Sequence, residues 1–94
     1  MESVLQQKKE CYVCGTTINL NDHHIFFGSA NRKQSEKYGM KVWLCVEHHT
    51  GNSGVHFNKD LDKRLKQMAQ KHFEQTHTRD EFMRVFGKNY LLDD

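Results

Sequence analysis

An α+β fold is predicted for this chain of 94 residues: a small domain, cross-linked by side-chain ligands and closed by helices at its C-terminal end. Three observations predict it. Short extended stretches fill the first half, helical apolar spacing begins only after Asn58, and two close pairs of cysteine and histidine flank the polar stretch between them.

A chain this short buries a smaller share of its surface than a longer one, so its apolar core alone is marginal and a staple is expected. With 36% hydrophobic and 28% charged residues, including six Phe, three Tyr and one Trp, it carries enough apolar material to exclude a disordered chain. The three cysteines are an odd number, which argues against a disulfide framework. MESVLQQKKECY lacks the apolar centre of a signal peptide, and no apolar run is long enough to span a bilayer. The expected setting is therefore a reducing cytoplasm without a membrane partner, and metal ligation is the better use for the thiols. A net charge of +2 does not by itself announce a nucleic-acid binder. The seven histidines are more informative, because five of them fall between His23 and His56.

Residues 1–10 read as a polar arm, a short helix or a frayed segment, and residues 11–94 as one domain, since no proline, repeat or low-complexity tract interrupts them. Thr16 to Leu20 and His24 to Phe27 read as two short extended segments around the turn residues Asn21 and Asp22. Gly28 to Gly39 reads as a polar connection with a helical turn from Ser35, followed by a third apolar stretch, Lys41 to Leu44. From Cys45 to Asn58 little apolar periodicity is left, so ligands rather than a core face should organise the chain. Leu61, Leu65, Met68, Ala69, His72 and Phe73 then recur at helical spacing and predict an amphipathic helix from Lys59 to Thr76, capped by Asn58. Thr78 and Glu81 have capping-box spacing, which starts a second helix with Phe82, Val85 and Phe86 on its apolar face and Gly87 at its end. Tyr90, Leu91 and Leu92 are expected to pack back. His72 fits the apolar face of the first helix and His77 its end.

Cys11-x-x-Cys14 and Cys45-x-x-His48 form two ligand pairs. Zinc takes four tetrahedral nitrogen or sulfur donors, and a two-residue spacer lets one tight turn, here with Gly15 after Cys14, aim two donors at one ion. Two pairs fill the shell. A filled shell leaves no position for water, so Cys11, Cys14, Cys45 and His48 are expected to hold a structural Zn²⁺. The bland alternative is that the cysteines are small core residues and His48 is incidental.

Asp22-His23-His24-Ile25 and Cys45-Val46-Glu47-His48-His49 bring a denser chemistry. Phosphodiester hydrolysis needs a base to activate water and a metal to neutralise charge, and a neutral imidazole can serve in either part. These residues resemble the HNH endonucleases of the ββα-metal, or His-Me finger, fold. More narrowly, HHIFFGSANRKQSEKYG, WLCVEHHTGNSGVHFNK and DEFMRVFGKNYL are similar to the phage recombination-enhancement nucleases that depend on RecA, over about Cys11 to Leu91. The resemblance implies a phage or prophage enzyme acting in recombination, with DNA and a RecA filament as partners. It implies that His24 is the general base, that His23 or Asp22 is a metal ligand, and that His49, directly after the last zinc ligand, belongs to the same site.

Two positions depart from that pattern. Met40 stands where the family has its central Asn, leaving Asn31, Asn52 and Asn58 as candidates for the orienting role. The helical partner of His49 would be Ser53, a poor ligand. His56 lies seven residues on, about 10 Å along an unbroken helix, but Gly51 and Gly54 make a loop that returns His56 to the metal the better expectation. The expected catalytic ion, Mg²⁺ or Mn²⁺ and in a crystal also zinc, is thus assigned to His23, His49 and His56. Strict strand alternation would point His23 and His24 to opposite faces, so sharing one site asks for a local distortion. Arg32, Lys33, Lys59 and Lys63 are the expected phosphate contacts, without sequence choice. The rival expectation is a non-catalytic zinc module that binds DNA or a protein.

Overall fold

The computed structural model describes residues 2–52 and 54–91. Strands β1 (Leu20–His24) and β2 (Lys41–Cys45) pair antiparallel, with Leu20 opposite Cys45, Asp22 opposite Trp43 and His23 opposite Val42. Asn21 and Asp22, expected to turn, are therefore strand residues, and the hairpin expected around them does not form. The reason lies in what each partner buries. Val42 and Leu44 of β2 are fully buried, whereas Thr16–Asn19 offers only Ile18, which stays 68% exposed. Turning takes place just before β1, where Asn19 adopts a φ of 54°, in the left-handed region that asparagine tolerates.

Helix α1 (Ser29–Tyr38) occupies most of the stretch expected to be a polar connection. It was invisible to apolar periodicity because a single residue, Ser35, is its buried contact. The Ser35 hydroxyl donates to the Phe26 carbonyl at 2.7 Å and accepts from the Phe26 N–H at 3.1 Å, pinning the helix to the chain that leaves β1. Gly39 ends it in the left-handed conformation at φ 71°; a Cβ there would stand 2.6 Å from the Glu2 carbonyl oxygen. That close approach shows where the N-terminal arm lies. Residues 2–10 form no helix; they run beside β2, with the Val4 N–H donating to the Gly39 carbonyl at 3.0 Å and the Trp43 N–H to Gln6 Oε1 at 2.8 Å.

Beyond β2 the chain enters α2 (Val46–His49) without a linker, and then α3 (Lys59–Phe73) and α4 (Arg79–Phe86). Asn58 Oδ1 accepts from the Leu61 N–H, as a cap should. Helix α3 ends three residues before the expected Thr76. The N–H groups of Thr76 and His77 both turn back to the Phe73 carbonyl, which redirects the chain so that Phe82 of α4 meets Phe73 at 5.5 Å between ring centroids. The Thr78–Glu81 capping box is present in both directions, and Gly87 closes α4 at φ 84°.

The core lies between the sheet and the last two helices. Phe26 packs against Phe86 at 4.3 Å and Phe82 at 5.4 Å, with Ile25, Val42, Leu44, Leu65, Ala69 and Phe73 buried around them. Tyr90 folds back onto Phe26 at 5.5 Å; Leu92 lies outside the described residues. One buried residue of α3 is polar. Gln70 donates to Glu74 Oε2 and Asn89 Oδ1 and accepts from the Tyr90 N–H, so its whole amide is satisfied while it ties the tail to the helix. Among the described residues no helix is long and apolar enough to cross a membrane.

Candidate functional site

Among the described residues, three groups of side chains could each hold a metal ion, and two of them draw on α2. The first joins Cys11 and Cys14, from the knuckle before β1, to Cys45 at the end of β2 and His48 in α2. The knuckle closes through the Gly15 N–H on the Cys11 carbonyl at 2.8 Å, and the φ of 80° at Gly15 is one that glycine adopts freely. All four ligand atoms lie within 4.8 Å of one another. Around tetrahedral zinc, a Zn–S bond of about 2.3 Å sets sulfurs about 3.8 Å apart. The Cys14 and Cys45 sulfurs are 3.8 Å apart, and His48 Nδ1 stands 3.7 Å from Cys11 Sγ and 3.2 Å from Cys45 Sγ. Burial raises the Cys11 thiol, but backbone N–H groups around Cys45, Cys14 and Val13 outweigh it and bring it down to about 6, favouring the thiolate that metals bind. This cluster could hold a metal such as zinc.

The second group is built from three elements. His23 comes from the inner face of β1, His49 from the end of α2, and His56 from the loop that follows. Gly54 and its neighbours make the return of that loop possible: the Val55 N–H donates to the His48 carbonyl at 2.9 Å, closing residues 48–55 on themselves. A Cβ on Gly54 would sit 2.7 Å from the His49 carbonyl oxygen, and one on Gly51 2.7 Å from that of Glu47. One nitrogen each from His23, His49 and His56 lies within 4.8 Å of the others, and the ring centroids are 5.0 to 5.9 Å apart.

Electrostatics suits these rings to a cation's ligands. Burial, then the neighbouring His49 and His56, push His23 down to about 3, and burial and His56 lower His49, so both rings are neutral near pH 7 with a lone pair available. His23 Nε2 and His49 Nδ1 are buried without a hydrogen-bond partner among the described residues. Unpartnered buried nitrogens are costly unless something else satisfies them, and a divalent ion at the centre of the three rings would do so.

His24 is not one of the three clustered rings, although with Asp22 it lines the same cleft of about 260 Å³ as His23, His49 and His56. Its Nε2 lies 2.9 Å from Glu36 Oε1 of α1, and Lys41 Nζ reaches both Glu36 and Asp22 at 3.1 Å. Asp22, the alternative ligand, is paired with that ammonium and is not grouped with the three rings; with His24 and Glu36 it makes a third set whose ligand atoms lie within 4.8 Å of one another. Among the described residues, none of the three asparagines considered for the orienting role is hydrogen-bonded to His24. Asn31 donates to the Phe86 carbonyl, Asn58 caps α3, and Asn52 is exposed. Met40 contributes its backbone carbonyl, which accepts from the Ile25 N–H just beyond β1.

The cationic candidates divide. Arg32 lines the imidazole cleft and, with Lys33, the adjoining groove over the start of α1. Lys59 and Lys63 do not line that cleft; Lys63 borders a separate hollow with Lys88 and Tyr90. Lys66, another α3 lysine that could hold phosphates by its sequence position, lies close instead: its ammonium sits 4.4 Å over the Phe27 ring, and its charge adds to the depression of His23. Phe27 and Glu36 have no such signal in the sequence. A lone Phe after a buried pair and a Glu on a helix without apolar spacing carry no signal until β1 and α1 are placed beside each other. No protein-family model, no curated protein and no solved structure matches the chain.

Proposed function

We propose that the chain is a metal-dependent DNA endonuclease of the HNH type, hydrolysing phosphodiesters with His24 as general base beside one divalent ion. The observation that carries this reading is the convergence of His23, His49 and His56, two of them with unpartnered buried nitrogens, on a cleft rimmed by His24 and Arg32. The order of elements supports it: a strand bearing one ligand, a crossover, an antiparallel strand, and a helix bearing the next ligand suit a ββα-metal arrangement.

Held by the three imidazoles, Mn²⁺, which neutral nitrogen donors suit better than they suit Mg²⁺, would supply the positive charge that neutralises the phosphate and the departing 3′ oxygen. The chain's own residues supply the rest. With Glu36 accepting from His24 Nε2–H, the lone pair of that imidazole is on Nδ1, where it takes the proton of the attacking water, and the Glu36 carboxylate stabilises the imidazolium that results. Arg32 and Lys33 hold the flanking phosphates. The Cys11–His48 cluster, loaded with zinc, keeps β2 and α2 in register so that His49 stays under His23.

A second reading, a non-catalytic zinc module that binds a protein or DNA, is favoured by one observation: Tyr12, Val13, Ile18 and Val46 expose apolar surface near the cysteine cluster. The test separates the two. Purified protein is incubated with plasmid and with single-stranded DNA in Mg²⁺ or Mn²⁺, with and without a RecA filament, beside a His24→Ala variant of unchanged circular dichroism. Cleavage by the parent and at least about a hundredfold loss in the variant supports the endonuclease. Equal cleavage by both, or none by either in every arm, overturns it.

A further inference from the structure

We propose that the groove beside the imidazole cleft seats an unpaired nucleobase on the face of Phe27, making single-stranded DNA, or a single-stranded stretch within a longer DNA, the substrate class. The choice of nucleic acid as occupant rests on the endonuclease reading above. Phe27 is 48% exposed although Ile25 and Phe26, directly before it, are fully buried. Its ring stands 6.4 Å from that of His23 and 6.2 Å from that of His56, so it forms one wall of the imidazole cleft. The same ring lines the adjoining groove of about 810 Å³, and the two hollows share His24, Phe27 and Arg32. Whatever occupies the groove is therefore a direct neighbour of whatever occupies the cleft.

The chemistry of the walls narrows the occupant. Lys66 holds the Phe27 ring through its ammonium at 4.4 Å. Arg32 and Lys33 have no ion-pair partner among the described residues, so both remain available to phosphates. The groove stays open at Gly28, where a Cβ would meet nothing within 4 Å. Cations alone would suit the backbone of a duplex as well as that of a single strand. An aromatic face between cations adds a term that only an unstacked base can use, because the bases of a duplex are already stacked on one another. Phe27 thus discriminates by strandedness and not by sequence, since every base has a π face.

The test uses the full chain with its zinc, carrying His24→Ala so that nothing is cut, and reads fluorescence anisotropy of a labelled oligothymidylate of about twelve nucleotides and of its duplex in Mg²⁺. Adding Phe27→Ala should weaken single-strand binding by about 5- to 100-fold, the range of one base–aromatic stack, and change duplex binding less than about twofold. Phe27→Trp should restore single-strand binding, and Phe27→Leu, which keeps the apolar bulk without the π face, should not. Equal losses on both DNAs, no loss on either, or rescue by Leu overturns the proposal. Metal content and thermal melting of each variant show that the site is intact; if Phe27→Ala loses its fold, the Leu and Trp pair carries the comparison alone. Cleavage of single-stranded DNA by the His24 parent that is indifferent to Phe27 would sink the platform and leave the endonuclease standing. Phe27-dependent single-strand binding without cleavage under any metal would do the reverse.

Discussion

His24 Nε2 and Glu36 Oε1 face each other at 2.9 Å across the gap between β1 and α1, a pairing made by residues twelve apart on elements of different type. It gives the proposed base an orienting partner in the place of the absent asparagine. Glu36→Gln should therefore lower the cleavage rate about 10- to 100-fold, the range seen when a carboxylate that orients a metal-bound imidazole is lost. The ion of the three-imidazole cluster should stay in place, because Glu36 is not one of that cluster's ligands. A variant that cuts at the parent rate, measured on plasmid under single-turnover conditions, would remove Glu36 from the mechanism.

Removing one sulfur from the first cluster should unfold the domain rather than slow it. Cys11 is buried against His48 and Cys45, and binding free energy at such a site is also folding free energy. Cys11→Ser, or a strong chelator on the parent, is expected to abolish the cooperative thermal transition in circular dichroism. Retention of that transition after complete loss of metal would show that the apolar core suffices.

The second cluster predicts a different phenotype. His49→Ala should release one ion per chain, counted by elemental analysis, and leave the melting profile near that of the parent with its zinc in place. His56→Ala should act likewise, since both rings complete the same group. Loss of two ions from either variant would mean that the clusters are not independent.

Two changes in the core separate apolar packing from polar satisfaction. Phe82→Ala removes a ring that meets Phe26, Phe73 and Phe86, and should cost about 3–5 kcal/mol in urea denaturation. Gln70→Ala leaves the Tyr90 N–H without its partner and takes one of two donors from Asn89 Oδ1, which keeps the Leu91 N–H, and should cost about 1–3 kcal/mol. A larger loss for Gln70 than for Phe82 would place the stability of the tail above that of the aromatic cluster.

Features written in local spacing were legible without coordinates. Cys11-x-x-Cys14 and Cys45-x-x-His48 announce their four-donor group because two-residue spacers are a property of the turn alone, and Asn58, Thr78, Glu81 and Gly87 bound the last two helices because caps act within one turn. The glycines after His49 disclosed that the helix would break there and let His56 return. Tertiary structure decided what depended on partners distant in sequence. Thr16–Asn19 reads as extended as β1 does, and only the burial of Val42 and Leu44 chooses which segment pairs with β2. α1 has no apolar stripe to read, since one serine hydroxyl holds it. The meeting of His24 with Glu36 and of Phe27 with Lys66 follows from where the strands and helices lie. Such contacts depend on where a backbone runs in space, and a linear pattern of residue types holds no record of it.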